Sequence, residues 1–552
     1  MRRGDAVAVL TDPILLSREA LNSVPHQNRS SEVPVTGLSK ADIASFAMAP
    51  RAFVAVAVAV AALATAIAAQ GQNTCDFVAE QTEIEVLKPL TLEYDAEQRE
   101  YWSTTNSKLK PTCILAPSTA EEVTVIMAAL RGTSETFAVK SGGHNPNNYW
   151  ASVDGGPLIS TKNLNEILFD AETGTVRVGA GNRWDDVAEA LDGTGYTAVG
   201  GRLGNVGVGG YMLGGGLSFL SAQYGWAANS VLEFTLVLPN ASVVAVREDN
   251  YPDIFMALKG GGNNYGIVTS FLLQAYPQGD VWGGVFWFYA NNKTTPAILQ
   301  AIRDFTEYNT DHKAAIIPTA ERTLATLVDL WIVFVFYDGP EPPTGIFDNF
   351  TSIGPFINTA KTQSMSELIS GNNWAVLKGS AYQIGTEMVP LPSAADGPEF
   401  LGAFYKHWVA TSNMVQAEPG LIASMALQPA PRRLAAVARA KGGDLIDLDE
   451  DADRLVVELS YSFLFPDDLT YDRVERAMRA TYGGVRNLAR SYADAHPGEL
   501  GGLYLPLFAN DAFYAQDYFA RLRPEKAALA RRVAAELDPE GLFRTRTGGW
   551  KP

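Results

Sequence analysis

The chain has 552 residues, 47% hydrophobic and 19% charged, with a formal net charge of −18. That length exceeds what one small core serves, so two or three globular domains are expected. The acidic balance argues against nucleic acid and anionic membrane surfaces as partners.

Residues 1–47 are polar and aperiodic and read as a disordered extension. Met48-Ala49-Pro50-Arg51 then leads into an apolar run from Ala52 to Ala69 containing Ala66-Ile67-Ala68. A short positive lead, an apolar stretch and a small-residue cleavage site describe a secretory signal peptide over 48–68. The run is also near the lower length limit of a membrane anchor, the alternative reading. A leader behind 47 residues is unusual, so Met48 is expected to be the true start and residues 1–47 an artefact of the gene prediction. The protein is then secreted and extracellular. In that setting Cys75 and Cys113 read as one disulfide, with two buried thiols as the alternative. Asn240, Asn292 and Asn349 head sequons and become glycosylation candidates.

A short extended segment lies between Pro111 and Pro117. Ser118 to Glu121 reads as a capping box, and Val123, Ile126, Met127 and Leu130 give a helix ending at Gly132. Strands follow at 136–139, 158–160, 167–169 and 175–178, with a helix from Trp184 to Leu191. Residues 200–216 are rich in glycine but alternate with Val, Leu, Met and Tyr, unlike a polar linker. A strand at 231–238 and a short helix at 252–258 precede a third glycine cluster, 260–262, which opens into a strand ending near Pro277.

From about Asp280 the texture changes. Strands are expected at 282–289, 326–337, 454–465 and 503–509. Helices are expected at 294–309, 395–411, 431–441, 469–496 and 516–537. This alternation suggests a mostly antiparallel sheet with helices on one face.

The first glycine turn, Ser141-Gly142-Gly143-His144-Asn145, follows the apolar Phe137-Ala138-Val139. Glycines let backbone N–H groups approach an anion closely, and the next side chain points at whatever the turn holds. The chain has five histidines, and only His144 sits in such a turn. On the residues alone it reads first as a capping histidine. No glycine stretch completes G-x-G-x-x-G or a phosphate-loop lysine pattern, which weighs against Rossmann and kinase-like folds.

Taken in order, Ser141-Gly142-Gly143-His144, Val206-Gly207-Val208-Gly209-Gly210 with Gly214-Gly215-Gly216, Leu258 to Ile267, and the tail Asp538 to Phe543 with Gly548-Gly549-Trp550-Lys551 resemble the berberine bridge enzyme-like FAD-linked oxidoreductases. These carry the PCMH-type FAD-binding domain of the vanillyl-alcohol oxidase superfamily, and the secreted fungal members are the nearer likeness. The resemblance covers about residues 75–552. It implies an α+β protein: an FAD-binding domain at 75–279 (the PCMH part about 107–279), a substrate domain at 280–500, and a C-terminal segment at 501–552 returning to the FAD domain.

The resemblance further implies FAD held by Ser141, Gly142, Gly143, His144, Asn145, Val206, Gly207, Gly209, Gly210, Gly214, Gly215, Gly266, Ile267 and Asn510. His144 matches the histidine that bonds covalently to the flavin. Some relatives add a cysteinyl bond; Leu203 stands at that position here, so a single histidyl link is expected. Val206 matches a position where a small residue goes with oxidases and isoleucine with dehydrogenases, which favours an oxidase. The family's Tyr-x-Asn-Tyr is replaced by Phe508-Ala509-Asn510-Asp511, so the catalytic base must be sought elsewhere. Tyr461 and Glu458 on the 455–465 strand are preferred to Asp511; the strand period places Glu458, Ser460 and Ser462 on one face and Tyr461 on the other. Tyr405 and His407 are further options.

The expectation is a secreted, monomeric FAD oxidase of an alcohol, sugar or secondary-metabolite C–H bond, with O₂ as acceptor and H₂O₂ as product. A dehydrogenase or oxidative-cyclisation enzyme of secondary metabolism is the alternative. From another class comes a catalytically silent flavin-fold binding protein. No metal and no membrane partner are expected.

Overall fold

A computed structural model of the chain describes residues 72–323, 329–500 and 502–552. The expected leader and the extension before it lie outside the described residues.

Three sheets carry the fold. The first has four short strands, β1 (Glu85–Leu87), β2 (Cys113–Ala116), β3 (Ala138–Lys140) and β4 (Pro157–Ser160), in the order β1-β2-β4-β3. β4 pairs in parallel with both β2 and β3. β2 and β4 are buried at every position, which is why they read as continuous apolar runs rather than alternating ones. The helix Ala120–Arg131 covers this sheet. Its N-cap is Thr119, whose hydroxyl accepts from Glu122 N at 3.1 Å, one residue later than the expected Ser118 cap. Cys75 and Cys113 form a disulfide, Cα–Cα 6.0 Å, tying the helix Thr74–Gln81 to β2. Closing a loop of this size contributes about 3–4 kcal/mol in the chain-entropy picture.

The second sheet contains β5 (Ile167–Asp170), β6 (Thr175–Gly179), β7 (Tyr196–Ala198), β8 (Val231–Val237), β9 (Val243–Val246) and β10 (Ile267–Pro277). Its order is β5-β6-β10-β8-β9, with β7 also on β10, and all its pairs are antiparallel. The third is an eight-stranded antiparallel sheet ordered β14-β11-β13-β12-β17-β18-β16 with β15 on β11. Its strands are β11 (Val281–Tyr289), β12 (Ala314–Thr323), β13 (Leu330–Tyr337), β14 (Ile357–Asn358), β15 (Lys361–Gln363), β16 (Ala381–Pro390), β17 (Ile422–Ala430) and β18 (Arg454–Phe463). One face buries Trp331, Leu427, Leu459 and Tyr461 against the helices Thr294–Tyr308, Gly397–Ser412 and Asp468–Ala495.

Four local expectations are corrected. Residues 200–216 hold a short helix, Val208–Leu213. β12 and β17 escape notice in the sequence because each contains a proline, Pro318 and Pro429, which argues against a strand in an unaligned reading. Residues 503–509 form no strand; they run extended into a single 3₁₀ turn, Ala509–Asp511. The last helix starts at Pro524, not Gln516, because proline is at home in the first helical turn and ends what precedes it.

The C-terminal tail closes back on the first sheet. Phe137 N donates to Arg546 O at 2.9 Å, Phe543 packs edge-on against Phe137, and Asp538 accepts from the backbone N–H groups of Leu542 and Phe543.

Candidate active site

The three glycine clusters meet. A Cβ on Gly142 would stand 2.6 Å from Gly207 Cα, so the 141–144 turn and the 206–210 segment touch backbone to backbone. Ser141 locks the contact: its hydroxyl donates to Ala180 O at 2.7 Å and accepts from Gly209 N at 3.2 Å. The third cluster joins through Gly262 N to Leu213 O at 3.1 Å. Gly143 and Gly266 have φ of +69° and +139°, which a side chain would strain. Beneath the turn, Lys140 is buried and paired with Glu97 at 2.6 Å, and Ser160 donates to the same carboxylate. Burial lowers the Lys140 pKa, while the Glu97 charge opposes that shift.

This cradle is one wall of a cavity of about 630 Å³. The facing wall is the open face of the third sheet: Thr319 and Glu321 of β12, Ser424 and Ala426 of β17, Glu458, Ser460 and Ser462 of β18, Tyr382 and Ile384 of β16. Each set alternates at period two, so the residues between them face the helices.

His144 lines the cavity. Its ring stacks on Trp102 at 4.3 Å, and Trp102 stacks in turn on Tyr382 at 4.0 Å. Nε2 is buried without a hydrogen-bond partner. Burial, helped by the Arg183 charge, pushes the imidazole pKa down to about 3, so the ring is neutral and keeps a free lone pair. Leu203, at the site of the second link in some relatives, packs against Trp102, Val376, Tyr382 and Ile384. Both cysteines of the chain are in the disulfide.

The other expected cofactor residues fall on the same wall. Asn145, Val206, Gly210, Gly214 and Ile267 line the cavity. Asn510 lines it too, but its amide is occupied by backbone: Nδ2 donates to Tyr211 O at 3.1 Å and Oδ1 accepts from Gly216 N at 3.1 Å. Asn510 therefore staples the C-terminal segment to the glycine loop. Gly215 is held with φ +105° against Ile446 in that loop.

Of the three candidate bases, two come together. Glu458 Oε2 and Asp511 Oδ2 both accept from Gln428 Nε2, at 3.1 and 3.4 Å. Burial raises both carboxyls above their ordinary range. The Glu458 charge raises Asp511 further, and Arg202 opposes the shift on each. Arg202 lines the same cavity and has no side-chain partner among the described residues. Tyr461, the preferred candidate from the sequence, is elsewhere. It is 1% exposed on the helix face of the sheet, with its hydroxyl bonded to Thr481 and Ser412. The strand period that placed Glu458 toward the cavity is what turns Tyr461 away. Tyr405 and His407 sit on that side as well: Tyr405 stacks on Trp331, and His407 Nε2 bonds Ala480 O and Thr481 O.

Sequence reasoning missed Arg202, Gln428, Glu321, Ser424 and the aromatic residues Trp102 and Tyr382. Arg202 lies in a loop already marked by its glycines, which was the available signal. The others come from strands and loops with no motif.

A large polar cofactor fits the glycine wall. His144 Nε2, Asn264 Oδ1, Tyr518 Oη and Trp550 Nε1 are buried there without partners in the protein. Gly210 has nothing within 4 Å of where its Cβ would stand, and a side chain there would enter the space.

Comparison with known proteins agrees. Residues 111–247 match the FAD binding domain family. An uncharacterized FAD-linked oxidoreductase of Arthroderma benhamiae is 39% identical over 472 residues, covering 85% of this chain and 92% of that protein. An FAD-dependent monooxygenase of Fusarium proliferatum is 31% identical over 463 residues, 80% of this chain and 85% of that protein. The crystal structure of berberine bridge enzyme from Eschscholzia californica superposes with a TM-score of 0.65 at 17% identity, covering 86% of this chain and 98% of that chain. That likeness speaks to the fold alone.

Proposed function

The chain belongs to the FAD-linked oxidoreductases, on the fold of berberine bridge enzyme, and from that premise we propose that it is an oxidase whose flavin is bonded to His144 alone. The observation that supports this reading is the buried, neutral and partnerless Nε2 of His144 in the wall of a cavity that also holds the Glu458–Asp511 pair. A neutral imidazole with a free lone pair is the nucleophile such a link needs.

When bound, FAD supplies a two-electron acceptor that takes a hydride at N5 and passes the electrons to O₂, giving H₂O₂. The chain's own residues handle the proton. Gln428 holds Glu458 and Asp511 as neighbours, and the pair shares a proton more readily than it ionises twice. The ionised carboxylate, Glu458 Oε2 or Asp511 Oδ2, accepts the O–H or N–H proton of the substrate as its C–H bond breaks. The Arg202 charge favours the ionised form of each and so opposes the upward push of burial. Trp102 fixes the His144 ring by stacking, and Tyr382 backs Trp102. Val206 lines the cavity, and its small side chain supports the oxidase reading. The substrate is an alcohol, a sugar or a secondary metabolite, and the protein acts as a secreted monomer after loss of its leader. Asn240, Asn292 and Asn349 are exposed and open to glycosylation.

Acid denaturation followed by a visible spectrum tests the link. Colour that stays with the polypeptide supports it, and colour lost in His144→Ala assigns it. Free FAD in the supernatant of the wild type sinks the covalent reading, and a colourless protein favours the silent binding alternative. Photoreduction followed by air then sorts oxidase from dehydrogenase: slow reoxidation would reverse the oxidase assignment. Intact mass and N-terminal sequencing of the secreted protein check the leader and the start at Met48.

A further inference from the structure

Glu321 is not used in the chemistry above. It lies on β12 in the cavity wall, where Thr319 precedes it at period two and Ser424 is its cross-strand neighbour on β17. Among the described residues its one side-chain hydrogen bond is long: Ser424 Oγ donates to Oε1 at 3.4 Å. Burial raises its carboxyl above the ordinary value, and no cation opposes this. The adjacent Arg322 points the other way, bonded to Asp329, Asn413 and Val409 O. Glu321 is half-buried, faces the cavity and has one long hydrogen bond and no cation, so it is placed to complete its shell with a ligand.

The surroundings narrow the ligand. Phe334, Trp374 and Tyr382 line the same cavity, Phe334 and Trp374 being stacked at 5.8 Å. The Tyr382 hydroxyl is taken by Leu377 O at 2.6 Å, so this residue offers its ring rather than a donor. A cavity that presents both a carboxylate and aromatic faces suits a ligand with a cationic group and an apolar body, and the Glu321 charge reaches Tyr382. The register fixes the separation from the reacting centre. Glu321 faces Ser424, Ser424 faces Ser460, and Glu458 lies two residues along β18 from Ser460. Standard sheet spacings put the Glu321 and Glu458 Cα atoms about 12 Å apart.

We propose that Glu321, with Ser424 beside it in a cavity that Tyr382, Phe334 and Trp374 also line, is a recognition subsite for a protonated amine on the substrate, remote from the bond that reacts. The inference rests on the reading of this cavity as the substrate site of a flavin enzyme. Ser424 and Ser460 lie between the subsite and Glu458 and are placed to bond polar groups along the molecule.

Phenethylamine and 2-phenylethanol are matched probes, alike except for the charged group. The flavin content of the secreted holoprotein is first measured by its visible absorbance, and each probe is then titrated calorimetrically at pH 7. Phenethylamine should bind at least tenfold tighter than 2-phenylethanol. Glu321→Gln, which keeps the shape and removes the charge, should abolish that preference and leave 2-phenylethanol binding within twofold. Ser424→Ala, which keeps the charge, should retain the preference. Equal binding of the two probes by the wild type, or a preference that survives in Glu321→Gln, would overturn the proposal. Should Glu321→Gln fail to fold, Glu458→Gln with Asp511→Asn supplies the test: the amine preference should survive removal of the other carboxylates in the cavity, and its loss there would overturn the proposal. A preparation without flavin would instead overturn the reading beneath it.

Discussion

The two walls of the cavity are made of different material. The cradle wall is largely backbone: the 141–144 turn against 206–210, locked by Ser141 and supported by the buried Lys140–Glu97 pair. The sheet wall is side chain: Glu321, Ser424, Glu458, Ser460 and Ser462 standing out from strands with little sequence in common. A backbone surface tolerates almost no added atom, so its sequence is glycine wherever two segments touch. A side-chain surface on a sheet can change at every second residue without disturbing the strands. Binding of a common cofactor therefore belongs to the first wall and choice of substrate to the second.

If that division holds, damage to the sheet wall should stop turnover while leaving the flavin in place. Glu458→Gln combined with Asp511→Asn removes both proton acceptors. Turnover should fall by about 10²- to 10⁴-fold, with colour on the denatured polypeptide unchanged. Turnover within a few fold of wild type would take the pair out of the mechanism.

Damage to the cradle wall should do the reverse and appear as stability and flavin content. Lys140→Met leaves Glu97 buried without its cation, which costs about 3–5 kcal/mol. Denaturant melts of the variant against wild type read this directly, and a loss below 1 kcal/mol would show that Glu97 finds another partner. Gly142→Ala is milder. Its methyl group meets Gly207 Cα and N at 2.6 Å, and overpacking of this kind costs about 1–3 kcal/mol. Its flavin content should fall with its stability. An unchanged melt with full flavin loading would mean that the two segments separate freely.

The same contrast explains what the sequence disclosed. The cradle was legible because close backbone contact forces glycine and because a histidine after such a turn is uncommon. Strand period alone put Glu458 and Tyr461 on opposite faces without saying which face met the cavity, so both stayed candidates until the helix-side core was seen to bury Tyr461. Asp511 seemed the weakest candidate because its partner lies 53 positions earlier and the residue that joins them, Gln428, sits on a strand hidden by Pro429. Glu321 lay on β12, hidden in the same way by Pro318. The sheet wall is an arrangement of distant residues set by register, and register is a property of the whole sheet.

Arg202 is where the walls meet, and it gives the finest test. It comes from the glycine-rich loop of the cradle, yet its charge acts on Glu458 and Asp511 across the cavity. Burial raises both carboxyls and Arg202 opposes this, so removing the cation should raise them further. Proton acceptance needs an ionised carboxylate, so kcat/KM should rise with pH through a value above the ordinary 3.8–4.5 range of these side chains. In Arg202→Met that rising limb should move to higher pH by about 0.5–1 unit, with the plateau reached at high pH little changed. Glu458→Gln should move the limb of any residual activity downward, because the charge that raises Asp511 is gone. A limb that stays fixed in Arg202→Met would mean that the loop only shapes the cavity, and the charge of the cradle wall would then have no part in the chemistry of the sheet wall.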